Sequence, residues 1–67
     1  MMNNKYNLGN EIWFWYVGEV NHGIIHEILG EKYNAMWYSV TLSDGTTKTI
    51  VAEQYCWPTQ KEMLKYL

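Results

Sequence analysis

Sixty-seven residues make one domain, residues 1–67. A chain of this size buries only about 60% of the surface it exposes when unfolded, so its core must be dense. Composition meets that need, with 48% hydrophobic residues, four Trp and six Tyr. A single cysteine, Cys56, excludes an internal disulfide and a cysteine-rich metal framework. A net charge of −2, with five lysines and no arginine, is a poor electrostatic footprint for nucleic acid.

No hydrophobic run approaches the ~20 residues of a membrane span, and Met1–Lys5 has no apolar signal-peptide segment. With one free cysteine, these features predict a cytoplasmic protein that does not engage a membrane. The stretch Glu11-Ile-Trp-Phe-Trp-Tyr16 reads as the first strand. Alternation sends Ile12, Phe14 and Tyr16 to one face and Glu11, Trp13 and Trp15 to the other. Leu8-Gly9-Asn10 leads into it as a turn, and Gly18 offers the positive φ of a tight reversal after it. A second strand is predicted over about 20–29, with Gly23 as its bulge or bend. Residues 30–34 read as a polar connector.

The third strand, about 36–42, alternates Tyr38, Val40 and Leu42 against Trp37, Ser39 and Thr41. Ser43-Asp44-Gly45-Thr46 is the strongest hairpin signal, fitting a type I′ turn or a type I turn with a glycine bulge. A β-branched fourth strand follows over about 46–51. Residues 52–56 fit a 3₁₀ turn or a short fifth strand, which Trp57-Pro58 ends. Thr59-Gln60-Lys61-Glu62 is a capping box opening a helix over about 60–67. Its Met63, Leu64 and Leu67 share a face that must dock on the strands, because so short a helix is unstable alone.

The stretches Leu8-Gly9-Asn10-Glu11-Ile12-Trp13, Val20-Asn-His-Gly23-Ile-Ile25 and Tyr38-Ser-Val40-Thr-Leu42-Ser-Asp44-Gly45 resemble segments of SH3-like barrels of the Tudor and KOW-like group. Trp57-Pro58-Thr59 and the final helix resemble an ending of small phage and Gram-positive bacterial barrel proteins. The resemblance covers about residues 8–58 and implies a mainly β fold: a small SH3-like barrel of four to five antiparallel strands with a short C-terminal α-helix. It implies a core of Ile12, Phe14, Val20, Ile25, Ile28, Tyr38, Val40, Leu42 and Ile50.

Trp13, Trp15 and Trp37 are left outside that core; Glu11 joins them in the candidate binding surface, and Glu11, Glu19 or Asp44 could supply a carboxylate for a bound cation. Three coverings are open: the final helix, a protein interface that includes a homodimer, or a ligand. The resemblance implies the ligand case, an aromatic cage holding a methylated cation by cation–π attraction. His22 and His26, four apart, fall about 13 Å apart on a regular strand at ~3.3 Å per residue, so they read as two surface imidazoles and no metal is expected. No nucleophile elbow, phosphate loop or zinc-protease motif is present, and Cys56 between Tyr55 and Trp57 reads as buried. The expected function is a non-catalytic protein–protein interaction module without cofactor. By resemblance it is an accessory protein of a phage or mobile element that modulates a host protein. The alternatives are a nucleic-acid-binding barrel, with Lys32 and Lys48 on phosphates, and a structural homo-oligomer.

Overall fold

The first strand, β1 (Glu11–Tyr16), forms where alternation places it. Ile12 and Phe14 are buried and Glu11 and Trp15 exposed, with Trp13 and Tyr16 half-buried. The computed structural model describes residues 4–66. Leu67, expected on the docking face of the helix, lies outside them. Ahead of β1 the Asn10 amide closes a turn on the Asn7 carbonyl at 3.1 Å, with Gly9 at φ +86°. After β1, Val17 and Gly18 form a two-residue reversal with φ of 51° and 75°. Positive φ at both central residues is the geometry of a type I′ hairpin.

β2 (Glu19–Lys32) is longer than expected, at 14 residues. Residues 19–24 pair with β1 and residues 23–32 with β3 (Ala35–Leu42). The ladder is regular at Gly23, so the bulge expected there is absent. The register instead shifts between Ile25 and Glu27 and between Ile28 and Gly30. Gly23 has another cause. A Cβ there would collide with the Thr41 carbonyl oxygen and lie 2.7 Å from Val40 Cγ1. The glycine lets β2 and β3 approach closely at the point where β2 passes from one neighbour to the other. The predicted connector 30–34 is also shorter: Tyr33 and Asn34 alone turn the chain, at φ 55° and 62°.

β3 alternates as predicted, with Tyr38, Val40 and Leu42 buried. In the following loop the Gly45 amide donates to the Leu42 carbonyl at 2.9 Å, and Gly45 has φ +80°. Asp44 has no positive φ, so the type I′ alternative does not form. Its carboxylate accepts from the Thr46 and Thr47 amides, each at 2.8 Å, and from the Thr47 hydroxyl. These bonds hold Thr46 and Thr47 in the loop and delay β4 to Lys48–Ala52. That shift sets which side chains point inward. Val51 faces Tyr38 and is buried, while Ile50 faces Ser39 and is 61% exposed, a correction to its expected core place. Val20 is only half-buried, and Ile28 packs partly against the core.

Residues 52–56 take both expected forms in succession: a 3₁₀ turn, Glu53–Tyr55, and then β5 (Cys56–Trp57). The five strands form one antiparallel sheet in the order β4-β3-β2-β1-β5. β4 and β5 are its two edges and do not pair, so the sheet is not closed into the expected barrel. α1 (Gln60–Leu64) is shorter than predicted. Thr59 Oγ caps it by accepting from the Glu62 amide at 3.1 Å. Met63 is fully buried where α1 packs on β5 and β1, but Leu64 is 43% exposed.

The core also takes Tyr6, Met36 and Cys56. Tyr6 meets Tyr38 edge to face at 5.8 Å and donates its hydroxyl to the Cys56 carbonyl at 3.3 Å. The Tyr38 hydroxyl accepts from the Tyr6 amide at 3.2 Å and donates to Glu53 Oε2 at 2.5 Å. The same carboxylate oxygen accepts from the Lys5 amide at 2.8 Å. One carboxylate thus ties the N-terminal segment, β3 and the 3₁₀ turn together.

Candidate functional site

The residues singled out from sequence fall in two places. Trp13 and Trp15 lie on the outer face of β1, opposite His22 and Val20 of β2. Trp37 pairs with Gly30 and Ala52. Gly30 is eight positions along β2 from His22, about 26 Å of strand at ~3.3 Å per residue. The three indoles therefore do not build one cage.

The β1 site is a layered arrangement. The His22 ring stacks on Trp13, with centroids 4.3 Å apart and planes 21° from parallel. His22 Nδ1 meets Glu11 Oε2 at 2.9 Å. The carboxylate orients the imidazole, and the imidazole covers one face of the indole. Trp13 is half-buried as a result, while Trp15 remains 47% exposed. Trp57 pairs with Trp13 across the β1–β5 ladder and meets Tyr66 at 5.6 Å. α1 covers β5 and part of β1 but leaves Trp15 open. Val17, at the hairpin apex two residues on, is 83% exposed. Of the acids near this face, Glu11 and Glu19 are both exposed. Asp44, weighed with them as a carboxylate for a cation, is instead held in its own loop. The Thr47 hydroxyl, then the Thr47 and Thr46 amides, lower its pKa to about 2.

The second place is a groove of about 470 Å³ at the far end of β2. Leu29, Tyr33, Trp37 and Ile50 supply its apolar walls. The Trp37 indole Nε1–H donates to the Lys32 carbonyl at 2.7 Å, which fixes the ring as a wall. Lys32 Nζ lies 5.7 Å from the Tyr33 ring centre. Sequence patterning missed this groove for two reasons. Leu29 is placed by a register shift, and Ile50 by loop length, and neither leaves a periodic signal. The one local cue was Asn34, a residue that tolerates the left-handed turn conformation.

The remaining chemistry is held in place by neighbours. His26 bonds Ser39 Oγ at 2.8 Å through Nε2 and Thr41 Oγ1 at 3.0 Å through Nδ1. The two histidines thus have separate partners, and among the described residues no group of three His, Cys, Asp or Glu side chains could hold a metal ion. Cys56 is buried, and its thiol contacts the Glu53 carbonyl at 3.3 Å. Burial, reinforced by the nearby Glu53 charge, pushes its pKa up to about 12. A thiol so held stays protonated at neutral pH and is a poor nucleophile. No described helix is long and apolar enough to cross a membrane. Comparison with protein-family models, with curated proteins and with solved structures found no match.

Proposed function

We propose that this chain is a non-catalytic, cytoplasmic protein-binding module, related to the SH3-like domains, that contacts its partner through the outer face of the β1–β2 hairpin. Trp15 and Trp13 form the centre of that surface, and Glu11 holds His22 against Trp13 to keep it flat. The observation that carries this reading is the hairpin apex. Val17 is β-branched, has φ +51° and is 83% exposed. Left-handed backbone costs a β-branched residue about 1–2 kcal/mol, which Asn or Gly in a type I′ turn avoids. The fold gains nothing from an exposed valine there, whereas a contact surface continuous with Trp15 does. Exposed aromatics of this kind dominate the energetics of protein interfaces.

The relation to SH3-like domains rests on the sequence resemblance and on the meander of the first four strands, with β5 returning to β1. The role as an accessory protein of a phage or mobile element rests on the resemblance alone. Burial of Cys56, 3% exposed, supports the non-catalytic reading for thiol chemistry alone.

The test compares capture of partners from a host lysate by wild type, Trp15→Ala and Val17→Asn. Both variants should fold, and Val17→Asn should melt higher than wild type. Each should lose partners that wild type retains. Identical partner sets for all three proteins would reject the β1–β2 face as the contact.

A further inference from the structure

Asp44-Gly45 is the one place in the chain where glycine follows Asp or Asn. That pair is chemically reactive. The Gly45 amide nitrogen can attack Asp44 Cγ and close a five-membered imide. A C–N bond forms, the nitrogen gives up its proton, and one carboxyl oxygen leaves as water. Water then opens the imide at either carbonyl. Opening at the side-chain carbonyl restores aspartate. Opening at the main-chain carbonyl leaves isoaspartate, in which the chain runs through Asp44 Cβ and Cγ. A following glycine favours the attack, because it has no Cβ to shield its nitrogen.

The attack has three requirements. The carboxyl must be protonated so that its oxygen leaves as water, the Gly45 N–H must be free to lose its proton, and Cγ must come within reach of that nitrogen. The folded loop opposes each of them. The Thr47 hydroxyl and the Thr47 and Thr46 amides, both amides at 2.8 Å, donate to the carboxylate and hold its pKa at about 2. The same three bonds direct its oxygens past Gly45, to the two residues beyond. The Gly45 N–H donates to the Leu42 carbonyl at 2.9 Å, which retains its proton. Every partner in this lock lies between Leu42 and Thr47, so the lock opens whenever this short segment opens.

We propose that Asp44-Gly45 is a latent isomerisation site: the folded β3–β4 loop blocks imide formation, and each opening of the loop permits it. Conversion adds one main-chain atom ahead of β4. It also takes the free carboxylate off Cγ, the position that Thr46 and Thr47 bind. Those bonds set which of Ile50 and Val51 enters the core, so isoaspartate at position 44 loosens the seat of Val51. The site is separate from the β1–β2 face, and its test is independent of the partner-binding reading.

Folded protein and protein unfolded in urea are incubated side by side at neutral pH, and the peptide that carries Asp44 is followed by chromatography and mass spectrometry. Isoaspartate separates from aspartate at unchanged mass, whereas deamidation of an Asn changes the mass. Conversion should be about tenfold or more slower in the folded chain, because it proceeds only through the open loop. Thr47→Val keeps the β-branched shape and removes the hydroxyl donor. While folded, as judged by circular dichroism, it should convert about threefold or more faster than wild type, and in urea at the wild-type rate. Purified converted chain should melt below unconverted chain. Three results would overturn the proposal: equal rates for folded and unfolded wild type, a folded Thr47→Val no faster than wild type, or converted chain that melts with the unconverted.

Discussion

Tyr38→Phe removes one oxygen atom from the most connected point of the core. The ring stays the same size, so packing of the fully buried side chain against Tyr6 and Phe14 is retained. Two hydrogen bonds are lost. The Tyr38 hydroxyl no longer donates to the Glu53 carboxylate, a bond of 2.5 Å to a charged acceptor, worth about 1.5–3 kcal/mol. The Tyr6 amide loses its acceptor at 3.2 Å and stays buried, which costs about 1–3 kcal/mol if no water replaces it. The two terms overlap through a shared network, so the expected loss is about 2–4 kcal/mol. A chain of 67 residues has a total stability of roughly 3–10 kcal/mol, so the loss is a large fraction of it. Melting should fall by roughly 8–32 °C, at about 4–8 °C per kcal/mol. Urea unfolding followed by tryptophan fluorescence measures the change directly. Glu53→Gln and the double variant complete a cycle, and the coupling should reach about 1 kcal/mol or more. A loss below about 0.5 kcal/mol, or strictly additive variants, would show that the network does not hold the fold together.

Gly23→Ala should destabilise by about 1–3 kcal/mol or more, because its Cβ meets backbone of β3 that cannot rotate away; unchanged urea unfolding would refute the close approach. Asp44 has a folded pKa lowered to about 2, so its contribution is present above the ordinary aspartate range and fades as pH falls from there through about 2. Asp44→Ala should therefore lower the melting temperature at pH 7 and have little effect near pH 2, and an equal drop at both pH values would contradict this. Cys56 and Tyr6, each raised to about 12 by burial first, and Tyr38, raised further by burial and its bond to Glu53, act in the opposite direction. Their stability is complete below the unfolded thiol and phenol values, near 8.5 and 10, and is lost as pH rises through the folded ones. Stability should thus decline from about pH 9 upward, and Cys56 should resist alkylation at pH 8 until urea unfolds the chain. Rapid alkylation of the folded protein would show that the thiol is open.

Local signals in the sequence were readable wherever one residue type decides the outcome. Strict alternation placed Ile12 and Phe14 inside, the Asp44-Gly45 pair placed the β3–β4 loop, and Thr59 placed the helix start. Parity was not readable in Ile50-Val51-Ala52, where neighbouring residues are all apolar. There the Asp44 bonds to Thr46 and Thr47 decide which residue enters the core. Gly23 looked like a bulge because glycine weakens any strand, while the atom it makes room for lies on β3, 18 residues later. The candidate surface was half legible. Exposure of Trp15 follows from alternation, but its distance from Trp37 depends on how β2 is shared between two neighbours. The His22–Trp13 stack is a cross-strand pair, visible only once the hairpin register is known.

The Glu53 clamp also bears on the order in which this molecule assembles. β1 through β4 are joined by three successive hairpins, whose partners are near in sequence and meet early. The bonds from Lys5 to Glu53 and from Tyr6 to Cys56 span 48 and 50 positions. Such contacts require the slow closure of nearly the whole chain. These separations predict that the meander forms first and that the N-terminal segment docks against the 3₁₀ turn last. Variants at Tyr6 or Glu53 should speed unfolding and leave the folding rate almost unchanged, whereas variants in the Asp44 loop should slow folding itself.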